Sequence, residues 1–190
     1  MPTYSKTDIT YLLSKDDCVR LCYHARNYRD KSMIAIMSLI PVRPDELVRL
    51  KKEDLQLIRD TATDLPCCIK LSIETRKKKG NKFFPKRHFD FVYGDIPDVF
   101  FKSIWKYVSQ IKTEDSRVFP ISKRQIRYMI DRLGMRVLGR HLCPYVFRHS
   151  TLTRYANEGK GIDELMYLKG ASDISSISPY IHGREQRIKF

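Results

Sequence analysis

The chain has no apolar stretch long enough to cross a bilayer. Its longest, Ile34–Val42, is interrupted by Ser38. The start, MPTYSKTDITYLL, lacks the basic-then-apolar pattern of a secretory signal. These absences exclude a membrane partner and make the cytoplasm the expected compartment. Cysteine is sparse: Cys18, Cys22, Cys67, Cys68 and Cys143 form no CxxC pair and no disulfide framework. Cys18 and Cys22 lie one helical turn apart near His24, but no second ligand pair follows at zinc spacing. The cysteines therefore read as core thiols in a reducing compartment. No phosphate-binding P-loop is present, so no nucleotide cofactor is expected. Internal repeats and low-complexity linkers are also missing. Acidic residues are the last scarcity: 22 Asp+Glu against 36 Lys+Arg leave a net charge of +14 and a pI near 9.6. Such an excess draws a polyanion, most often nucleic acid.

What is there describes a folded domain. The 190 residues are 42% hydrophobic and 31% charged, enough to bury a core and too apolar for disorder. Residues 1–12 read as a lead-in and 13–190 as one domain, mainly α with a small antiparallel β-sheet (α+β). Ser14 can cap a first helix whose early acids, Asp16 and Asp17, suit the positive end of its dipole. Asn27–Asp30 reads as a turn and Lys31–Ile40 as a buried helix stopped by Pro41. Pro44 fits the first position of another helix, with Asp45 and Glu46 in its first turn and Lys52–Leu55 closing it. Arg43 stands just before that helix. There it either projects beside the free amides as an anion ligand or pairs with Glu46.

Residues 57–66 read as a loop or a short strand with a turn. Alternation then predicts two strands: Cys67–Thr75, with Ile69, Leu71 and Ile73 on one face, and Phe83–Tyr93, with Phe89 and Phe91 in step. The cations Arg76, Lys77, Lys78, Lys79 and Lys82 surround a Gly80-Asn81 turn between them. Helices are expected over Asp98–Ile111, with Trp105 in the core, and over Ser122–Leu138. The latter would present Lys123, Arg124 and Arg127, followed by Arg132 and Arg136, on a cationic face, with Ile126, Met129, Ile130 and Leu133 inward. The stretch Pro144–His182 follows. It holds two helix-like segments broken at Gly159 and Gly170, opening on Arg148 and closing on Tyr180 beside His182.

Taken together, Arg43 in VRPDEL, Arg148 in YVFRHS and Tyr180 in SPYIH, with a basic hairpin between the first two, resemble the catalytic domain of tyrosine recombinases (phage-type integrases). RPDEL is similar to the family's first-arginine segment. Lys78-Lys79-Gly80-Asn81-Lys82 resembles its GKGNK turn and puts the family lysine at Lys79. Residues Tyr145–His149 align with its H-x-x-R-H motif. Tyr180 follows Ala171 by nine residues, the spacing of the family's nucleophile from its second histidine or tryptophan. The likeness covers about residues 13–182. Two positions depart from it: Tyr145 replaces the first histidine, a YxxR form resembling some archaeal virus and plasmid integrases, and Ala171 replaces the second. The family's N-terminal DNA-clamping domain has no counterpart here, so a catalytic fragment or a minimal form is expected.

The resemblance implies strand cleavage without a metal or cofactor. Tyr180 would attack phosphorus to give a 3′-phosphotyrosine and a free 5′-hydroxyl. Arg43 and Arg148 would hold the non-bridging oxygens, and Lys79 would protonate the leaving oxygen. Tyr145 would hydrogen-bond the phosphate, although a phenol is a poor base. His149 or His182 would compensate for the missing histidines, with His182 favoured and His149 reading more readily as a packing residue. Lys77, Lys78, Lys82, Lys123, Arg124 and Arg127 would bind the DNA backbone. The implied partners are double-stranded DNA attachment sites and three further copies of the chain, a homo-tetramer on DNA with a monomer possible when free. The implied location is the nucleoid, or the host-cell cytoplasm for a viral protein. The alternatives are type IB topoisomerase-like relaxation, a catalytically impaired DNA-binding relative, and a generic basic nucleic-acid-binding domain.

Overall fold

The central element is a helix apolar on every side, and the remaining elements pack around it. In the computed structural model, which describes residues 11–75, 86–113 and 116–185 with side chains to Ile181, this is the second helix. Helix α1 spans Lys15–His24, α2 Tyr28–Leu39 and α3 Pro44–Arg49. A short 3-10 turn, Lys52–Asp54, leads into strands β1 (Leu55–Arg59), β2 (Pro66–Glu74) and β3 (Lys86–Val92). Helices α4 (Asp98–Val108), α5 (Lys123–Leu138), α6 (Pro144–Asn157), α7 (Ile162–Lys169) and α8 (Ser178–Glu185) follow. The α+β class holds.

In α2, Met33, Ile34, Ala35, Ile36 and Met37 are all buried, and a helix without a polar face must be covered all round. Helices α1, α4 and α6 supply that cover. The C-terminal carbonyls of α2 have no partner within the helix. Side chains of α6 reach them: the Thr151 hydroxyl lies 3.3 Å from both Met37 and Ser38 carbonyls. Arg154 Nη2 donates to Ser38 O at 2.5 Å, and the Tyr155 hydroxyl to Leu39 O at 2.7 Å. Arg148, on the same helix, donates to Pro41 O. The segment carrying Arg43 is thus fixed against the helix carrying Arg148.

The sheet is antiparallel in the order β1-β2-β3. Leu71 stands between Leu55 and Phe89, and Ile69 between Leu57 and Phe91. The alternation continues one step beyond the phenylalanines: Arg87 pairs with Ile73 and faces inward, 2% exposed.

Several boundaries move for local reasons. Asn27 caps α2 by accepting from Asp30 N at 2.9 Å, so the helix starts three residues before the expected Lys31. The helix after Pro44 ends at Arg49, and Lys52–Asp54 is a separate turn rather than its close. Residues 55–59 form a strand. Helix α4 stops at Val108, and Phe101, 2% exposed, takes the core place expected of the half-buried Trp105. The last segment holds a third helix, α8, which carries Tyr180. Cys18 and Cys22 are core thiols, whereas Cys67, Cys68 and Cys143 are only half-buried. The expected turn of cations at 76–82 lies outside the described residues, as does the start of the lead-in.

Gly134 is a second fixed point. A Cβ there would meet the Arg140 backbone oxygen at 2.7 Å and Leu142 Cγ at 2.6 Å, because α5 packs directly on the link that follows it. Gly134→Ala is expected to cost about 1–3 kcal/mol by overpacking. Helix propensity returns at most about 1 kcal/mol. Since one obstacle is backbone and cannot swing aside, the variant should unfold at lower urea than the unaltered chain. An equal or higher midpoint would contradict the packing described here.

Candidate active site

Two helix starts converge on one groove. Helices α3 and α6 both open with proline, at Pro44 and Pro144, where a missing N–H costs nothing. The groove between them, about 610 Å³, is lined by Val42 to Asp45, by Lys123 and Arg127 of α5, and by Cys143, Pro144, Tyr145 and Arg148. Four cations face one carboxylate there, at the positive ends of two helix dipoles. Such a site attracts an anion.

Arg43 is 39% exposed at its side chain and pairs with Glu46, Nη1 to Oε1 at 3.0 Å. Glu46 Oε2 also accepts from the Arg43 backbone N–H at 2.8 Å. Arg43 thus pairs with Glu46 and also lines the groove. Arg148 is only 4% exposed. Its Nη1 donates to Pro41 O, and its Nη2 to Lys169 O at 2.6 Å. No described carboxylate forms an ion pair with it. Burial first, then repulsion from Arg43, lowers its pKa to about 10, still well above neutrality. A guanidinium has five N–H donors. With two held by carbonyls, Arg148 keeps donors for an incoming anion, and it is poorly solvated without one.

Tyr180 is 6% exposed and packs in the core beside Ile177. Its hydroxyl lies 3.1 Å from His149 Nδ1 and 3.3 Å from Nε2, within reach of whichever ring nitrogen is bare. The Lys169 ammonium sits 5.1 Å from the Tyr180 ring centre and donates to Ser176 O. Tyr145 completes the row, its ring 4.3 Å from that of His149, edge to face. Burial, with a smaller contribution from Tyr145, raises the Tyr180 pKa well above that of a free phenol, so the hydroxyl is protonated at neutral pH. His149 moves the other way. Burial first, then Lys169 and Arg148, lowers it to about 4 from an ordinary 6.5. It is a neutral acceptor beside a protonated phenol.

That shift sets a pH window for stability. Between about 6.5 and about 4 the unfolded chain takes up a proton at His149 and the folded chain does not. The contribution of neutral His149 is full above 6.5 and is lost as pH falls through the window. The melting temperature should therefore drop more between pH 7 and pH 4.5 in the unaltered chain than in His149→Gln. Equal drops would show that the imidazole is not held neutral.

The expected site residues Arg43, Tyr145 and Arg148 line the groove together, as do Lys123 and Arg127 of the expected DNA-binding set. Arg124 is exposed on α5 but does not line it. Lys77, Lys78, Lys79 and Lys82 lie outside the described residues. His182 falls within α8, and its side chain lies beyond those described. His149, read from sequence as a packing residue or a substitute for the missing histidines, lies within hydrogen-bond distance of the Tyr180 hydroxyl. Glu46 was read as a helix-start acid and as one of two alternatives for Arg43, but not as shared: it is 5% exposed between two arginines. Arg87 was not singled out at all, although counting back by two from Phe91 and Phe89 reaches it.

Residues 12–187 match the model of the phage integrase family. The tyrosine recombinase XerC of Bacillus licheniformis is 23% identical over 163 residues, covering 81% of this chain and 49% of that protein. The chain thus spans about half the length of the relatives it matches. Two solved structures share the fold. The XerA recombinase has a TM-score of 0.67 at 20% identity, over 100% of this chain and 68% of that one. The Tn1549 transposon integrase, in complex with circular intermediate DNA, has a TM-score of 0.61 at 16% identity, over 97% and 69% respectively.

Proposed function

Because the chain belongs to the phage integrase family, the tyrosine recombinases, we propose that it is the catalytic part of a site-specific DNA recombinase working through Tyr180. The observation that carries this reading is the grouping of Arg43, Arg148 and Tyr145 around one cationic groove, with Tyr180 hydrogen-bonded to the residue after Arg148. A DNA phosphate enters the groove, and the two guanidinium groups donate to its non-bridging oxygens. These bonds strengthen as charge builds on the oxygens. The Tyr180 oxygen turns from His149 to attack phosphorus, and its proton passes by way of the bare ring nitrogen, too weak a base to keep it, to solvent. Phosphorus gains a bond to the tyrosine oxygen and loses its bond to the 5′-oxygen, which takes a proton from Lys79. The 3′-phosphotyrosine conserves the bond energy, and a foreign 5′-hydroxyl reverses the step on another strand.

Tyr145 adds a hydrogen bond to the phosphate, and His182 remains a candidate second acceptor. Lys77, Lys78, Lys82, Lys123, Arg124 and Arg127 grip the backbone of double-stranded attachment sites. That the Tn1549 integrase was solved with circular intermediate DNA supports this choice of partner. Exchange between two duplexes needs four active sites, hence a homo-tetramer on DNA assembled from free monomers. The reaction belongs where DNA lies, in the nucleoid or a host cytoplasm. No described helix is long and apolar enough to cross a membrane.

Nicked suicide duplexes carrying a randomised stretch test the reading without knowledge of the target site. A recombinase becomes covalently attached to DNA and frees a 5′-hydroxyl. A simple binder retains DNA in a salt-sensitive way and forms no adduct, which would overturn the proposal.

A further inference from the structure

The buried arginine of β3 ties together three segments that border the proposed site. Arg87 Nε donates to Thr75 Oγ1 at 2.8 Å, one residue past the end of β2. Its Nη1 donates to Leu168 O at 2.5 Å. The next carbonyl along, that of Lys169, accepts from Arg148. Its Nη2 lies 2.9 Å from Glu46 Oε2, an ion pair that lacks the alignment of a hydrogen bond. Glu46 in turn holds Arg43 at both its backbone and its guanidinium. One carboxylate is therefore shared by two arginines, one buried and one open to the groove. Gly170 fits over this junction with φ +63°, and a Cβ there would stand 2.6 Å from Thr75 Cγ2 and 3.2 Å from Arg87 Nε.

We propose that Arg87 is a positioning residue for strand cleavage. It holds Glu46, the end of β2 and the end of α7 in one frame, so that Arg43 and Arg148 face the same phosphate. The inference rests on the reading of the groove as a phosphodiester-cleaving site.

Stability alone is a poor reason for a cation at this place. Isosteric apolar replacement of a buried ion pair is often neutral or stabilising. The geometry supplies another reason. Arg87 engages the inner side of Glu46, so the carboxylate does not turn wholly onto Arg43 and neutralise it. Without Arg87, both oxygens close on the Arg43 guanidinium and draw it off the groove. At the same time the Leu168 carbonyl and the Thr75 hydroxyl lose their common donor, which loosens the frame around Arg148.

The test uses the full chain with Arg87→Met, Arg87→Lys and the double variant Glu46→Gln/Arg87→Met. The readouts are inorganic tungstate binding by calorimetry, single-turnover adduct formation on the randomised suicide duplexes, DNA retention and melting temperature. Arg87→Met should weaken tungstate binding about 10-fold and slow adduct formation about 100-fold, by analogy with the loss of outer-shell partners at metal sites. DNA retention should stay within about two-fold, because the backbone-gripping cations are untouched. Arg87→Lys keeps the charge but cannot fork to three partners, so it should fall between. The double variant should regain tungstate affinity, since no carboxylate is left to compete for Arg43. A residue that only stabilises the fold would lower the melting temperature and leave tungstate affinity and adduct rate per folded molecule unchanged. That result overturns the proposal. If Arg87→Met does not fold, Arg87→Lys decides by the same two readouts. An unaltered chain that forms no adduct counts against DNA cleavage, and the tungstate series still judges Arg87.

Discussion

Tyr180→Phe should abolish the covalent protein–DNA adduct and leave salt-sensitive DNA retention as it is in the unaltered chain. The variant removes one oxygen from a ring that is 6% exposed and packed beside Ile177, so the cavity it fills stays filled. The hydrogen bond to His149 is lost, at about 1 kcal/mol net for an ordinary pair. Since Phe cannot make a phosphate ester, the adduct does not decrease but disappears, and any residual strand scission should lie on the order of 10⁶-fold below the unaltered rate, as when other enzymes lose a nucleophile. Retention is governed by the cations that displace counterions from DNA, and none of them is altered. An adduct that survives in Tyr180→Phe would place the nucleophile elsewhere. Retention lost together with the adduct would mean that α8 had come away from the body.

The parts of this site that were legible in the sequence are those fixed by local rules. Pro44 with its following acids placed Arg43 at a helix start, and Ser14 marked its helix because capping is decided within four residues. Alternation located β2 and β3 and placed Ile69, Leu71, Phe89 and Phe91 inward. The residues alone favoured His182, because the docking of α8 on α6 that puts His149 at the Tyr180 hydroxyl leaves no local signal. The ties that set the angle between Arg43 and Arg148 span more than a hundred positions, as in Thr151 to Ser38 or Arg148 to Pro41, and no local pattern announces them. Arg87 is a different case. The alternation that placed Phe89 also pointed to it, but a charged side chain on a core face reads as a break in the pattern until Glu46 is found opposite.

Arg43→Ala and Arg148→Ala should be alike in chemistry and unlike in stability. In the proposed chemistry each removes a donor to the developing oxyanion, worth about 2–4 kcal/mol in comparable sites. At about 1.4 kcal/mol per decade that is a loss of roughly 30- to 1000-fold in adduct formation. The folded states respond differently. Arg43 is 39% exposed, and without it Glu46 keeps Arg87, so the melting temperature should move little. Arg148 is 4% exposed, and its loss strands the Pro41 and Lys169 carbonyls. Each unsatisfied carbonyl costs about 1–3 kcal/mol. Arg148→Lys is no rescue, since an ammonium cannot fork to two carbonyls and a phosphate together. Adduct rates per folded molecule, read beside urea midpoints, separate the two contributions. Equal midpoints for the two alanine variants would mean that Arg148 is not the strut between α2 and α7 described here, and a near-normal rate in either would remove that arginine from the clamp. The expected pattern has a physical reason: an anion clamp works best when one donor is locked into the frame before the substrate arrives and the other stays at the surface to meet it.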